Sequence, residues 1–398
     1  MTESPEGVGY EPRNVKDVVV EMKDTSELMV DLAYSAVLYE NHEIAKEVLD
    51  LEKHMNVLRY HAHMALMLAA RRPRDAEQLT GVFQVVSAAE KIANAADDIA
   101  SVVILDVGIP DELRSALPEA KEMMVRAEVD VESEVNGRSL EDLNLETDTG
   151  VHVVAIKRDT DWIFGPGADE KLLRGDVVFG EGPETGVERF HEMATRRPYE
   201  RMEMESSEIE DLDRAMASVV EMKNVSELAV GLAYSALLLE SEDVAAEVEA
   251  LENQTDRMKQ DLEEWVLESA AHVGEPVKLR GLIHLAIASE VVTDAAREIV
   301  DVVMREIDLH PVFAEAVRES TEKITRVKVA DGSELDGRSL GETLVEAETG
   351  MYVMAIHRGD GDWEYSPTSA TEVEAGDALI ARGPENGERR LKEMASAL

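Results

Sequence analysis

Hydrophobic residues in the first hundred positions recur at the spacing of α-helices. Leu28, Leu32 and Ala36 are four residues apart, so they lie on one face of a helix. A second helix is predicted from about residue 43 to 70, where an Arg-Arg-Pro sequence ends it, because a proline disfavours helix in the residue before it. A third, alanine-rich helix is predicted over 76–103, since small residues let helices pack closely. Together these segments predict an antiparallel three-helix bundle with short loops.

After this helical region, the pattern changes to short apolar runs separated by glycine turns. Residues 125–131 alternate as a half-buried strand does, and 151–156 form a short apolar run typical of a buried strand. Further strands are predicted to begin at Trp162 and over 177–179. A short helix is predicted near Ser139, and a closing helix at 184–193. This order predicts a small α+β domain of ordinary size.

The second half of the chain repeats the first. Residues 21–40 read EMKDTSELMVDLAYSAVLYE and residues 221–240 read EMKNVSELAVGLAYSALLLE, an offset of 221 − 21 = 200. The string GRSL recurs at the same offset, and after one inserted residue Trp162 corresponds to Trp363. The period is far longer than that of solenoid repeats, so each copy is expected to hold complete domains.

The predicted fold class is therefore α+β, with two three-helix bundles alternating with two small α+β domains. The predicted segments are a disordered N-terminus (1–12), a first bundle (13–118), a first α+β domain (119–197), a linker (198–208), a second bundle (209–318) and a second α+β domain (319–398).

The net charge of the chain indicates the salt concentration of its environment more clearly than it indicates a function. The chain carries 85 acidic and 40 basic residues, a formal net charge of −45. Self-repulsion on this scale is tolerable where salt shortens the Debye length, so we expect a high-salt cytoplasm such as that of a halophilic archaeon. The acidity argues against nucleic acid and anionic lipid as partners. The sequence has no cysteine, no apolar run approaching 18 residues and no signal-peptide pattern at its start, which predicts a cytoplasmic protein.

The two α+β regions resemble the TrkA-C domain, the C-terminal module of RCK-type regulators of potassium channels and transporters. The resemblance rests on a fixed order: GRSL with a following Glu and Leu, then TG, then VVAIKR or VMAIHR, an aromatic residue, GD before an apolar strand, and GP leading into a helix. It implies a cytoplasmic domain that dimerises and, in some members, binds a small ligand such as cyclic di-AMP in the dimer cleft.

The helical regions resemble the PhoU domain, which carries acidic motifs of the type E/D-x-x-x-D on its second and third helices. In the second copy these motifs are Glu252 with Asp256 and Glu290 with Asp294. The first copy departs from the pattern, with Asn56 and Asn94 at the positions of Asp256 and Asp294. Residues four apart share a helix face, and the resemblance implies a divalent metal ion at such motifs. We predict a metal site for the second copy and no tight site for the first. The alternative is that the acidic residues lie on solvated helix faces.

Basic residues recur at equivalent positions of the α+β domains. The candidate ligands for an anionic group are Arg138, Arg158, Arg338 and Arg358. Lys157 and His357 precede the second and fourth of them. Because a guanidinium group binds phosphate with two hydrogen bonds, these residues fit a nucleotide or another phosphate-bearing ligand. The alternative is a set of surface ion pairs with neighbouring carboxylates, worth about 0–1 kcal/mol each.

These features predict a regulatory protein and not an enzyme, since neither an activated nucleophile nor a phosphate-binding loop is recognisable. The leading hypothesis is a regulatory subunit that senses a small ligand and acts on a separate membrane channel or transporter for potassium or another cation, staying cytoplasmic or peripheral at the membrane. The alternatives are a PhoU-type regulator of phosphate transport and a metal-dependent hydrolase. The TrkA-C regions are expected to pair within one chain as a pseudo-dimer or between chains as a homodimer.

Overall fold

The computed structural model has the predicted α+β architecture, in which helical bundles alternate twice with small antiparallel sheets. The described residues are 13–70, 72–110, 123–145, 149–199, 209–239, 242–305, 323–359, 363–365, 367–383 and 385–397. The predicted disordered N-terminus, and residues 200–208 of the predicted linker, lie outside the described residues. No helix in the described part of the chain combines the length and the apolar character that a membrane crossing requires.

The first three helices form what we call bundle 1. They are α1 (Val15–Leu38), α2 (His42–Ala69) and α3 (Pro73–Ile104). Asn14 and Asn41 cap α1 and α2, because each side-chain oxygen accepts hydrogen bonds from backbone N–H groups of the first turn. Pro73 begins α3, at a position where its fixed φ suits a helix and its missing N–H costs nothing. The three helices lie close to where the sequence pattern predicted them.

The α+β region that follows is called lobe 1. Its elements are β1 (Met123–Glu128), α4 (Leu140–Leu143), β2 (His152–Arg158), β3 (Asp161–Phe164), β4 (Val177–Gly182) and α5 (Glu184–Thr195). The strands form an antiparallel sheet in the order β1-β4-β2-β3. Val187 and Phe190 of α5 are fully buried in one core with Val125 and Val178 of the sheet. One face of the sheet is therefore covered by the lobe's own helix.

The second copy repeats this order. Bundle 2 consists of α6 (Glu210–Leu239), α7 (Glu242–Ser269) and α8 (Arg280–Met304), with a 3₁₀ turn at Pro276–Leu279 before α8. Lobe 2 consists of β5 (Lys323–Lys328), β6 (Arg338–Ser339), α9 (Leu340–Thr343), α10 (Val345–Thr349), β7 (Tyr352–His357), β8 (Trp363–Tyr365), β9 (Glu372–Val373), β10 (Ala378–Gly383) and α11 (Glu385–Ala395). Its main sheet has the order β5-β10-β7-β8, which is the topology of lobe 1.

The two bundles share one hydrophobic core. Helix α1 packs against α6, and α3 packs against α8, so the six long helices form a single body. Buried hydroxyl groups cross the junction: Tyr34 lies 3.1 Å from Ser226 and 2.6 Å from Ser289, and Tyr234 lies 3.1 Å from Ser26. The sequence pattern predicted two bundles but gave no sign that they pack together. We call this joint structure the helical body.

Each lobe rests on the helical body through the sheet face that its own helix leaves open. Ala155 and Phe179 of lobe 1, and Ala355 and Ile380 of lobe 2, are buried in the core of the helical body. The equivalent tryptophans Trp162 and Trp363 also pack against that core. Both faces of each sheet are therefore covered within one chain.

Candidate functional site

The arginines on the second strand of each main sheet are held inside their own lobes. Arg158 donates to both carboxylate oxygens of Asp176, at 3.0 and 2.8 Å, and to Glu170 at 3.0 Å. Asp176 is only 2% exposed, and its hydrogen bonds raise the pKa of Arg158. Arg358 makes the equivalent contact with Asp377 at 2.7 Å. A buried carboxylate therefore binds each of these guanidinium groups and orients it within the lobe.

The other predicted arginines of the lobes are more exposed and donate to backbone oxygens. Arg138 donates to the carbonyl of Asp142, and Arg338 donates to that of Glu342 at 3.0 Å. Both carbonyls lie in the short helix that follows the GRSL sequence, so each arginine helps to stabilise that turn. The structure gives the four predicted arginines separate protein partners, and their role toward an anionic ligand stays a prediction.

An arginine lies among the predicted metal ligands of bundle 2. Arg297 is 3.3 Å from Glu252 and 3.5 Å from Asp294. Burial raises the pKa of Glu252, and the nearby Asp256 and Asp294 carboxylates add to that effect, while Arg297 opposes it. The carboxylates of Glu252 on α7 and Asp294 on α8 therefore both lie beside the guanidinium group of Arg297.

The fourth predicted metal ligand has a different partner. Glu290 forms an ion pair with Lys259 at 2.5 Å. No group of three or more His, Asp or Glu side chains within the described ranges is arranged to hold a metal ion. As placed here, Arg297 and Lys259 supply positive charge beside these carboxylates, and the metal site of bundle 2 stays a prediction.

The corresponding region of bundle 1 has the charges in other places. Asn56 donates to Glu52, and Arg59 forms an ion pair with Glu90. Asp97 occupies the position of Arg297, and its pKa is raised by burial and then by Glu52 and Asp98. This exchange of aspartate for arginine lies outside the acidic motifs from which the site was predicted, although aligning the two copies makes it visible.

A carboxylate on the second helix of each bundle holds the adjoining lobe. In copy one, Glu47 forms ion pairs with Arg126 of β1, at 3.2 Å, and with Lys157 of β2. Lys157 also lies 3.7 Å from Asp50 and 5.5 Å from the centre of the Trp162 ring. The Glu47 side chain is 9% exposed, so these charges are largely removed from water.

Copy two repeats this contact with one change. Glu247 lies 3.0 Å from Arg326 of β5 and 2.9 Å from Nδ1 of His357 on β7. The His357 ring stacks on Trp363 at 4.6 Å with parallel planes. The sequence analysis noted Lys157 and His357 among the recurrent basic residues of the lobes, and missed the acidic partners on the helices. We call the groups around Glu47 and Glu247 docking contact 1 and docking contact 2.

Family models match both parts of each copy. The PhoU domain model matches residues 19–103 and 219–303, and the TrkA-C domain model matches residues 124–194 and 324–396. The chain is a tandem duplication of a PhoU domain joined to a TrkA-C domain. Bundles 1 and 2 are its PhoU domains, and lobes 1 and 2 are its TrkA-C domains. Both resemblances drawn from the sequence are thereby confirmed, and both families are regulatory.

Similar solved structures come from the same two groups of proteins. The crystal structure of PhoU from Pseudomonas aeruginosa has 13% identity and a TM-score of 0.44, covering 73% of this chain and 93% of that one. The GsuK RCK domain has 10% identity and a TM-score of 0.19, covering 69% of this chain and 64% of that one. The GsuK channel bound to NAD has 11% identity and a TM-score of 0.19, covering 69% and 53%. No curated protein matches the chain.

With the PhoU and TrkA-C domains identified, the docking contacts gain a physical meaning. They join a domain of a regulatory family to the helical body through one buried acid and two basic residues. The acid and its basic partners depend on one another, because removing the acid or the basic residues leaves a buried charge without a partner.

Proposed function

We propose that this protein is a cytoplasmic regulatory subunit of a membrane transport system for potassium or another cation. In this proposal the TrkA-C domains bind a small anionic ligand, such as cyclic di-AMP or another nucleotide, and the PhoU domains act on a separate channel or transporter subunit. The observation that carries it is the docking of each TrkA-C domain on a shared helical body through one compact charged contact.

In this proposal, the docked arrangement and a released arrangement are the two states that regulation requires. A ligand shifts an equilibrium only by its difference in affinity for the two states, and a difference of about 1–3 kcal/mol is enough for regulation. Docking removes a group of three charges and the apolar face of the sheet from water, and release exposes both again. In this proposal the ligand binds these two arrangements unequally, with Arg138, Arg158, Arg338 and Arg358 as the residues to test for its recognition.

The paired PhoU domains favour a second candidate, a regulator of phosphate transport. Their matches cover 85 residues in each copy, as the bounds 19–103 and 219–303 give, and the two domains form one body. This reading needs no separate role for the TrkA-C domains in sensing, which is why we place it second. The hydrolase alternative has less support, because Arg297 and Lys259 occupy the carboxylate set on which it relied.

Deleting the gene and measuring transport separates the two candidates. Altered uptake of potassium with unchanged uptake of phosphate is expected if the first proposal is right, and the reverse result supports the phosphate regulator. Calorimetry of the full chain in high potassium chloride, with cyclic di-AMP and related nucleotides as probes, then tests the ligand. If none of these nucleotides binds, the ligand-sensing part of the proposal is wrong.

A further inference from the structure

The two docking contacts have the same geometry but different proton chemistry. Glu47 and Glu247 have equally buried side chains, each 9% exposed, and each lies between two basic residues of the adjoining lobe. One basic partner is an arginine in both copies. The other is Lys157 in docking contact 1 and His357 in docking contact 2. A lysine stays charged across the range of cytoplasmic pH, whereas an imidazole loses its charge near pH 6.5 in model peptides.

The surroundings of His357 give its charge an effect on docking, because the ring contacts a buried carboxylate. Its Nδ1 atom is 2.9 Å from Glu247, and its side chain is 24% exposed. The other charged group at this contact is Arg326, which lies 3.0 Å from Glu247. On the sheet, the neighbours of His357 are Ala378 of β10 and Trp363 of β8, neither of which titrates. Position 250, equivalent to Asp50, is alanine, so docking contact 2 lacks the second acid found in copy one.

Protonation strengthens both interactions that the ring makes. A charged imidazole forms a charge-assisted hydrogen bond with Glu247, which is shorter and stronger than a neutral one. It also places a cation over the face of Trp363, where the ring electrons attract it. Loss of the proton weakens both interactions and leaves Glu247 paired with Arg326 alone. Both interactions exist only in the docked arrangement, so docking weakens when the imidazole loses its charge.

We propose that docking contact 2 is a pH-sensitive latch: lobe 2 is held on bundle 2 while His357 is protonated and loosens as the pH rises from about 6 to about 8. The basic residues of docking contact 1 are a lysine and an arginine, which stay charged, so lobe 1 stays docked over the same range. The protein thereby responds to protons through one TrkA-C domain and not through the other. This response stands on the geometry of the two contacts and does not depend on which ligand or transporter the protein serves.

Cysteine labelling of the docking faces tests the proposal, because the native chain contains no cysteine. Val154 and Met354 are equivalent half-buried residues whose side chains pack against the helical body. Two variants, V154C and M354C, are labelled with a maleimide between pH 6 and 8.5 in high potassium chloride. Each rate is divided by the rate for the same variant unfolded in urea at the same pH. We expect the normalised rate of M354C to rise about fivefold and that of V154C to stay constant.

Exchanging the two basic residues provides the control. In the M354C background, His357→Lys is expected to remove the rise in labelling with pH. In the V154C background, Lys157→His is expected to create such a rise in lobe 1. Circular dichroism checks that each variant is folded. If one of the two exchange variants does not fold, the other still tests the proposal. A normalised M354C rate that does not change with pH, or a rise that persists in the His357→Lys variant, would overturn the proposal.

Discussion

The two copies of the PhoU–TrkA-C unit keep the same contacts but place their charges differently. Buried pairs such as Arg158–Asp176 and Arg358–Asp377 are repeated with nearly the same distances. Charged positions around the helices have changed in type: Asp97 in copy one is Arg297 in copy two. The comparison shows that packing has been retained after duplication, while the groups that can bind ions or protons have diverged.

The changes compensate one another within each bundle. Bundle 1 has Glu52 and Asp97 near two asparagines, and bundle 2 has Glu252, Asp256 and Asp294 around Arg297. Each set carries the same formal charge of −2, since the additional carboxylate of bundle 2 is offset by a guanidinium group. Mutual repulsion of clustered carboxylates is costly unless a positive charge lies among them. Substitutions at these positions therefore measure whether repulsion between carboxylates affects the stability of the two bundles equally.

The largest effect is expected from removing the acid of a docking contact. Glu47→Ala leaves Arg126 and Lys157 without their buried partner, which we expect to destabilise the chain by about 3 kcal/mol at pH 8. Glu247→Ala should cost less, about 1–2 kcal/mol, because His357 can release its proton and avoid an unpaired charge. Urea unfolding at a fixed potassium chloride concentration measures both values.

Glutamine at the same positions is the matched control, because it keeps the shape and part of the hydrogen bonding while it removes the charge. Equal losses for Glu47→Ala and Glu247→Ala at pH 8 would contradict the distinction between the two docking contacts.

A smaller effect is expected at the junction of the bundles. Burial raises the pKa of Tyr34 to about 12, so its hydroxyl stays protonated and hydrogen-bonds with Ser226 and Ser289. Tyr34→Phe should cost about 1.5 kcal/mol and Tyr234→Phe about 1 kcal/mol, because Tyr234 contacts one serine, Ser26. Thermal unfolding of both variants at one pH and salt concentration gives the comparison.

The reason for this difference can be tested separately. Position 89, which corresponds to Ser289, is alanine, so copy one lacks the second hydroxyl. In a Ser289→Ala background, the losses for Tyr34→Phe and Tyr234→Phe are expected to become equal. If Tyr34→Phe remains the more costly substitution there, the extra stabilisation does not come from the contact with Ser289.

The sequence predicted local structure well, because periodicity and turn residues act over short distances. The closing helix expected at 184–193 is α5 (Glu184–Thr195), and Ser139 caps the short helix that was predicted beside it. The duplication also predicted that both lobes share one topology. The helix limits and the helix cap depend on residues within one or two turns of each other.

Contacts between distant segments were beyond the reach of the sequence pattern. Glu47 and Lys157 are 110 residues apart, and Tyr34 and Ser226 are 192 apart. In a chain with 85 acidic residues, one glutamate on a helix is indistinguishable from many others until packing shows which one is buried. Arg297 of bundle 2 was missed because it lies three positions beyond the end of the motif at Glu290 and Asp294.

The smallest expected effect comes from giving bundle 1 the arginine of bundle 2. Burial and the nearby Glu52 and Asp98 raise the pKa of Asp97, so the folded chain binds a proton at this site more tightly than the unfolded chain does. Its ionised form therefore opposes folding, and this cost grows as the pH rises through the acidic range.

Asp97→Arg removes that cost and places a guanidinium group beside Glu52, as Arg297 is placed beside Glu252. We expect a stabilisation of about 0.5–1 kcal/mol at pH 7, measured by urea unfolding, which shrinks as the pH falls and Asp97 of the parent chain is protonated. Asp97→Asn removes the charge without adding the guanidinium group, so it should give about half of this gain. A loss of stability in Asp97→Arg would mean that the carboxylate clusters of the two copies are not interchangeable, and that their charges serve different partners.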